Sequence, residues 1–281
     1  MNDTPDRQET APRDLPPLGH EHPQHEHLQR VLTWRTVANS AAYLVPYLKP
    51  GLTLLDVMCG PGTVTVDLAR RLAPGRVYGL DASATAVEQA AGLAFDEGVG
   101  NASFVVGDVY ALPVADASVD IVHAHQVLQL VDDPVAAVRE MRRVLKPGGI
   151  LAARDADYGA AAWYPKLPAL AAWMAVYRAL HSASGGDPDA GRALKAWARQ
   201  AGFAEVTSSA SIWCFASAAE REWWGESWAQ RATEADFAAR AIEAGVARLA
   251  DLHEISAAWR QWALDPDGWF VLAHGEIIAV R

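Results

Sequence analysis

The stretch LLDVMCGPGTVTVDLA, Leu54 to Ala69, runs an apolar strand through a turn with glycines at 60 and 62 into a helix of apolar period. Glycine supplies the backbone freedom such a turn needs, and a strand entering a helix this way belongs to a parallel sheet with crossover helices. The rest of the chain keeps the same rhythm. The first strand is expected at Leu54–Val57, and its helix runs from about Thr63, with Val64, Leu68 and Leu72 on one face, to a stop at Ala73-Pro74-Gly75. Then come a strand at Arg76–Leu80, a helix capped by Ser83 and ended by Gly98, and strands at Ala102–Val106 and Val119–Ala124. Asp133 and Pro134 open a helix with Val138, Met141 and Leu145 facing a core; Lys146-Pro147-Gly148-Gly149 ends it, and a fifth strand follows at Ile150–Arg154.

Downstream the pattern loosens. Asp187 and Pro188 open another helix, Glu205–Phe215 reads as a sixth strand, and Trp269–Val280 as the last, interrupted by Gly275. Between those two strands lies a helical insert over about 218–264, in which Thr233 and Asp236 resemble a capping box. Ten of the eleven tryptophans follow residue 160, outside the half that holds the glycine turn. Upstream, a helix is expected over Leu28–Leu44, and residues 1–27 read as a mobile tail rich in proline, charge and histidine. The division that follows is a tail at 1–27 and one domain at 28–281, with a core at 51–155 and a cap from 156–204 and 218–264.

Composition removes several function classes. A net charge of −10 without a Lys/Arg run argues against nucleic acid or an anionic membrane as partner. No stretch approaches the ~18 consecutive apolar residues of a membrane span, and the polar first residues do not read as a secretory signal. Two cysteines, Cys59 and Cys214, make no disulfide framework or metal spacing, which fits a reducing cytoplasm. The tail histidines His20, His22, His25 and His27 could gather a metal, but none is expected.

A glycine pair alone would suit NAD, FAD, a nucleoside triphosphate or S-adenosylmethionine. A dinucleotide fits poorly: Thr65 stands where its fingerprint needs a third small residue, and Pro61 has no N–H to give a pyrophosphate. A P-loop is excluded, because no Lys-Ser or Lys-Thr follows the glycines. Asp56, in the strand itself, would repel a pyrophosphate and suit the ammonium and sulfonium of S-adenosylmethionine. Asp81 ends the second strand, where a carboxylate accepts ribose hydroxyls, and Asp108 ends the third, where it can accept from an adenine amine. Three acids at three successive strand ends converge on one elongated ligand.

At these residues the chain resembles the class I S-adenosylmethionine-dependent methyltransferases, particularly small-molecule enzymes related to the ubiquinone/menaquinone C-methyltransferase family. LLDVMCGPGT, VYGLDAS, GDVYALP, DASVDIVHAHQVLQLVDDP and REMRRVLKPGG occur in that family's order. The resemblance implies an α/β, Rossmann-like seven-stranded sheet, mostly parallel with an antiparallel last strand, helices on both faces and a helical cap. It implies that Asp56, Gly60 and Gly62 line the methionine end of the cofactor. Asp81, with Ala82 beside it, would hold the ribose, and Asp108 with Val109 would frame the adenine. His125 and Gln126 would lie near the methyl group. One departure stands out: the family usually has glycine where this chain has Met58.

Methyl transfer from a sulfonium needs alignment of the acceptor atom, exclusion of water and, for a phenol, removal of a proton. His125, sharing a strand face with His123, is the candidate base. Asp157 and Tyr158, after the fifth strand, could orient or deprotonate an acceptor, with Trp163 and Trp34 rimming its site. Trp224 and Trp228 share a helix face, as cap core or as a wall for a flat acceptor. The expectation is a cytoplasmic enzyme that methylates a small, largely apolar, aromatic, polyketide-like or quinone-like acceptor of the kind met in secondary metabolism. Oxygen is preferred to carbon and nitrogen, and the only protein partner in view is a second copy in a homodimer. The alternatives are a protein that binds the cofactor without turnover, a methyltransferase-like fold with non-methylating chemistry, and an NAD(P)-dependent oxidoreductase.

Overall fold

A computed structural model describes residues 31–281. Its seven-stranded sheet has the order β3-β2-β1-β4-β5-β7-β6, with β1 Leu54–Val57, β2 Val77–Asp81, β3 Ala102–Val106, β4 Val119–His125, β5 Leu145–Tyr164, β6 Glu205–Phe215 and β7 Trp269–Val280. Strands β1 to β5 pair in parallel, and β7 runs antiparallel between β5 and β6. This is the architecture the sequence implied.

The strand-helix-strand half follows its local signals. Helix α2, Thr63–Leu72, buries Val64, Leu68 and Leu72, while α3, Ala84–Asp96, is capped by the Ser83 hydroxyl. Helix α4, Pro134–Val144, starts with proline in its first turn behind an Asp133 cap. Two apolar clusters form on the sheet, one around Leu54, Leu68 and Ile121, the other around Leu55, Val122 and Met141. The third belongs to the cap.

That cap packs α5, Pro168–Ala183, α7, Ala218–Thr233, α8, Ala235–Glu243, and α9, Leu249–Leu264, onto the far ends of β5, β6 and β7. Trp173, Trp259, Trp262 and Phe270 are fully buried there, and truncating one such ring costs roughly 3–5 kcal/mol. The late tryptophans are first of all the core of this cap. Helix α6, Ala190–Gln200, packs instead on β5 and β7.

Four local expectations change. The helix expected over Leu28–Leu44 is broken in its described part: Thr36 caps a short α1, Val37–Ser40, in a reciprocal box with Asn39, and a 3-10 helix follows at Ala42–Tyr47. The fifth strand continues ten residues past Arg154, because β7 offers a partner as far as the Tyr164–Trp269 pair. Thr233 caps nothing: it ends α7 and its hydroxyl donates back to the Ala229 and Gln230 carbonyls. Finally, Gly275 does not interrupt β7. A methyl group there would lie 1.9 Å from the Gly191 carbonyl oxygen, so the glycine lets α6 press directly on the sheet.

Gly275→Ala must therefore push α6 off β7. Its expected cost is about 3 kcal/mol or more, at the upper end for overpacking, read as a lower urea midpoint. The tail and its histidines lie outside the described residues. No helix among the described residues is long and apolar enough to cross a membrane.

Candidate active site

The carboxyl ends of β1, β2 and β4 open into a cavity of about 410 Å³. Its first wall is the turn between β1 and α2. Met58, Gly60 and Gly62 all hold positive φ, at 53°, 55° and 85°. At Gly62 a side chain would strike Ala90 of α3 at 2.7 Å, whereas the space over Gly60 is open. Asp81 ties the turn down: one carboxylate oxygen accepts the Gly60 N–H and the other the Ser83 N–H, both at 2.9 Å. A carboxylate has about four acceptor positions, so Asp81 keeps capacity for two more donors.

Met58 carries the strain of a left-handed conformation, about 1–2 kcal/mol for a residue with a Cβ. Met58→Gly removes that strain, while Met58→Ala only loses side-chain contacts. The glycine variant should accordingly melt above the alanine variant, by about 1 kcal/mol once glycine's entropy is counted.

Asp56 is less available than its position in the sequence implied. It is 3% exposed and both oxygens are engaged, one by the Thr65 hydroxyl at 2.6 Å and the other by His123 Nδ1 at 2.7 Å. Its carboxylate stands in the β1 wall and orients His123, whose Nε2 has no partner. Thr65, which replaces the third small residue of a dinucleotide turn, thus has a specific task. Cys59 beside it is a packed thiol whose pKa burial pushes up, ahead of the charges of Asp56 and Asp81.

The opposite wall is aromatic and cationic. His125 lines the cavity at 8% exposure, and neither ring nitrogen has a hydrogen-bond partner. Burial above all, with Arg35 and Arg154 nearby, holds its imidazole well below the ordinary histidine range, so the ring is neutral near pH 7. It lies between His123, His274 and Trp213, with ring centroids 6.5, 6.3 and 5.7 Å away. Tyr158 packs on Tyr177 at 4.2 Å, and Trp213, Trp224 and Trp228 complete the wall.

Gln126 is the joint between the two walls. Its backbone is left-handed, φ 56°, and its amide is spent at both ends. Oε1 accepts from Arg35 Nη2 at 2.5 Å, and Nε2 lies 3.0 Å from His274 Nε2. His274 Nδ1 donates to the Leu272 carbonyl, so its Nε2 is the acceptor and the Gln126 orientation follows. Below, Asp155, pushed up to about 7 by burial, accepts the Gln129 N–H and steadies the 3-10 turn Leu128–Leu130 that carries Gln129 into the cavity.

Of the residues singled out from the sequence, the cavity gathers Asp56, Gly60, Asp81, His125, Gln126 and Tyr158. Gly62 and Ala82 do not line it, and Ala82 is exposed. Asp108 and Val109 lie beyond it, past the end of β3, where Asp108 accepts the Tyr110 N–H and Val109 is buried. Asp157 points elsewhere, gripped by Arg192 at 2.5 and 2.6 Å. An extended β5 carries Trp163 onto Phe270 under Lys166, and Trp34 packs on Trp213, Phe215 and Trp223. Neither tryptophan touches the cavity. Arg35, Gln129, Tyr177, Trp213 and His274 were not legible as site residues, because they come from the N-terminal segment, a turn, helix α5 and strands β6 and β7, where nothing local marks them.

Among the described residues no cluster of three or more His, Cys, Asp or Glu could hold a metal. The groups present do fit S-adenosylmethionine: Asp81 has spare acceptors, open space lies over Gly60, and the Asp56 carboxylate stands in the same wall.

Residues 48–226 match a family model described as a methyltransferase domain. An uncharacterized methyltransferase of Schizosaccharomyces pombe is 34% identical over 254 residues, covering 87% of this chain and 90% of that one. A probable methyltransferase of Aspergillus luteorubrus is 33% identical over 264 residues, covering 87% and 91%. A demethylmenaquinone methyltransferase of Lactococcus lactis matches more locally, 39% identical over 100 residues, or 35% of this chain and 40% of that one. The fold is shared with the YcgJ protein from Bacillus subtilis, at TM-score 0.57 and 20% identity over 85% of this chain and 97% of that one. Sheet order, a glycine turn clasped by a strand-end carboxylate, and full-length relatives agree: the chain belongs to the methyltransferase-domain family and is an S-adenosylmethionine-dependent enzyme.

Proposed function

We propose that this enzyme methylates a small, flat, largely apolar aromatic acceptor, on oxygen before carbon or nitrogen, and that His125 takes the acceptor's proton. One observation carries it: a neutral, buried imidazole with both nitrogens unpartnered faces a cavity walled by Tyr158, Tyr177, Trp213, Trp224 and Trp228. Burying polar nitrogens unpaired is costly unless a ligand meets them, and aromatic walls favour a planar guest.

Asp81 would accept the ribose hydroxyls of the cofactor. Asp56 and His123 would face its methionine end, and Asp108 with Val109 would frame the adenine outside the cavity proper. S-adenosylmethionine, when bound, supplies a methyl group on a sulfonium as the electrophile. His125 holds the acceptor hydroxyl by a hydrogen bond and receives its proton, raising the electron density on oxygen. The ring walls fix the acceptor's plane and exclude water, and such alignment lowers a barrier by about 7 kcal/mol in favourable cases.

The test is incubation with methyl-labelled cofactor and a panel of phenols, hydroquinones, aromatic amines and activated ring carbons, with products identified by mass spectrometry. Label entering hydroxyaromatics in preference to aliphatic alcohols and amines supports the proposal. Label entering only aliphatic acceptors removes it.

A further inference from the structure

The charges of the cavity are segregated. Among its described lining residues the carboxylates are Asp56 and Asp81, both on the wall of β1 and β2. Two cations line the other side: Arg231, over the Trp228 ring, and, near His125, Arg35. Its Nη2 donates to Gln126, its guanidinium lies 5.8 Å from the Trp213 ring, and its Nε is buried without a partner. None of its partners among the described residues is a carboxylate. Burial and the nearby Arg154 even bring its pKa down to about 10, opposed by the electrostatic pull of Tyr158 and Tyr177. A half-buried guanidinium whose Nε is buried without a partner, and which has no counter-ion among the described residues, gains when an anion enters beside it.

We propose that Arg35 receives a carboxylate of the methyl acceptor, so that the enzyme's substrates are aromatic acids, with a carboxylate near the hydroxyl that is methylated. The inference rests on the aromatic-acceptor proposal above and narrows it. Arg35 is placed for this task rather than for the cofactor, because the groups around it are Gln126, Trp213, Tyr158 and Tyr177, on the wall opposite Asp56 and Asp81. Planar guanidinium and planar carboxylate pair through two parallel hydrogen bonds, which Nε and one Nη nitrogen can supply. The same pair would set the ring so that an adjacent hydroxyl meets His125. Arg35 is thus a specificity-determining residue on a segment before the sheet begins.

The experiment is calorimetric titration of the full chain, saturated with S-adenosylhomocysteine, with 1-hydroxy-2-naphthoate and with its neutral methyl ester. The acid should bind roughly ten- to a hundredfold more tightly than the ester, the range for hydrogen bonds to a charged group. In Arg35→Met that preference should vanish, and in Arg35→Lys it should be partly restored, while affinity for S-adenosylhomocysteine stays within about twofold in both. Melting curves check that the variants fold. Equal binding of acid and ester overturns the carboxylate assignment and leaves the aromatic acceptor standing; failure of both to bind overturns the aromatic acceptor and this inference with it. An Arg35→Met variant that loses S-adenosylhomocysteine and keeps its preference for the acid gives the arginine to the cofactor's own carboxylate, and the inference fails.

Discussion

Replacing His125 by alanine should lower kcat by about 10² to 10⁴, the range for a positioned general base, with little change in cofactor affinity. The imidazole is held neutral by burial, so at physiological pH its nitrogens can accept a hydrogen bond and a proton, while the same burial and the two arginines weaken it as a base. The sign of the pH effect follows. A base whose pKa lies well below 6.5 is protonated only in acid, so kcat/KM should hold as pH falls through 6.5 and decline further down. Arg35→Met takes away one of the charges that lower the histidine and should move that acid limb upward. A purely structural His125 would show neither behaviour: its alanine variant would lose melting temperature and activity together. A kcat within threefold of the parent enzyme removes His125 as the base.

Asp81→Ala should weaken cofactor binding by about 1.5–3 kcal/mol, or roughly 10- to 150-fold in Kd, measured by calorimetry with S-adenosylhomocysteine. Two effects combine. The ribose loses its acceptor, and the Gly60 and Ser83 N–H groups lose the carboxylate that clasps the turn. Asp81→Asn separates them, since its one carbonyl oxygen can still hold one of those N–H groups but cannot serve all four donors. An intermediate Kd for the asparagine variant is the expected outcome. An unchanged Kd in both variants would take the ribose away from Asp81.

The Arg35 inference changes how the two walls work together. Cofactor-side carboxylates suit a cationic guest, a cation across the cavity suits an anionic one, and each excludes the other's partner from its place. Gln126 joins the sides, since its amide is fixed by Arg35 at one end and His274 at the other. Its amide thereby sets the positions of both residues.

How much of this was legible in the chain varies with distance along it. From Leu54 to Arg154 each element carries its own signal: a serine or aspartate cap, a proline in a first turn, a glycine where the backbone turns left-handed. Asp56, Asp81 and His125 were therefore placeable, because a strand end fixes where its side chains emerge. The length of β5 was not, since Gly159–Tyr164 extends only because β7 lies alongside. Asp157 misleads for the same reason: nothing near it in sequence announces Arg192, thirty-five residues on.

By itself, then, the amino-acid sequence determined the order of strands and helices, the glycine turn and the row of strand-end acids, all features set by neighbours within a few residues. Only the tertiary structure decided which groups remain unsatisfied: that Asp56 is occupied by Thr65 and His123, that both ring nitrogens of His125 are buried without a partner, and that Arg35 arrives opposite with no acid beside it among the described residues. Whether a polar atom has a partner depends on what distant segments bring to it, and local pattern is blind to that.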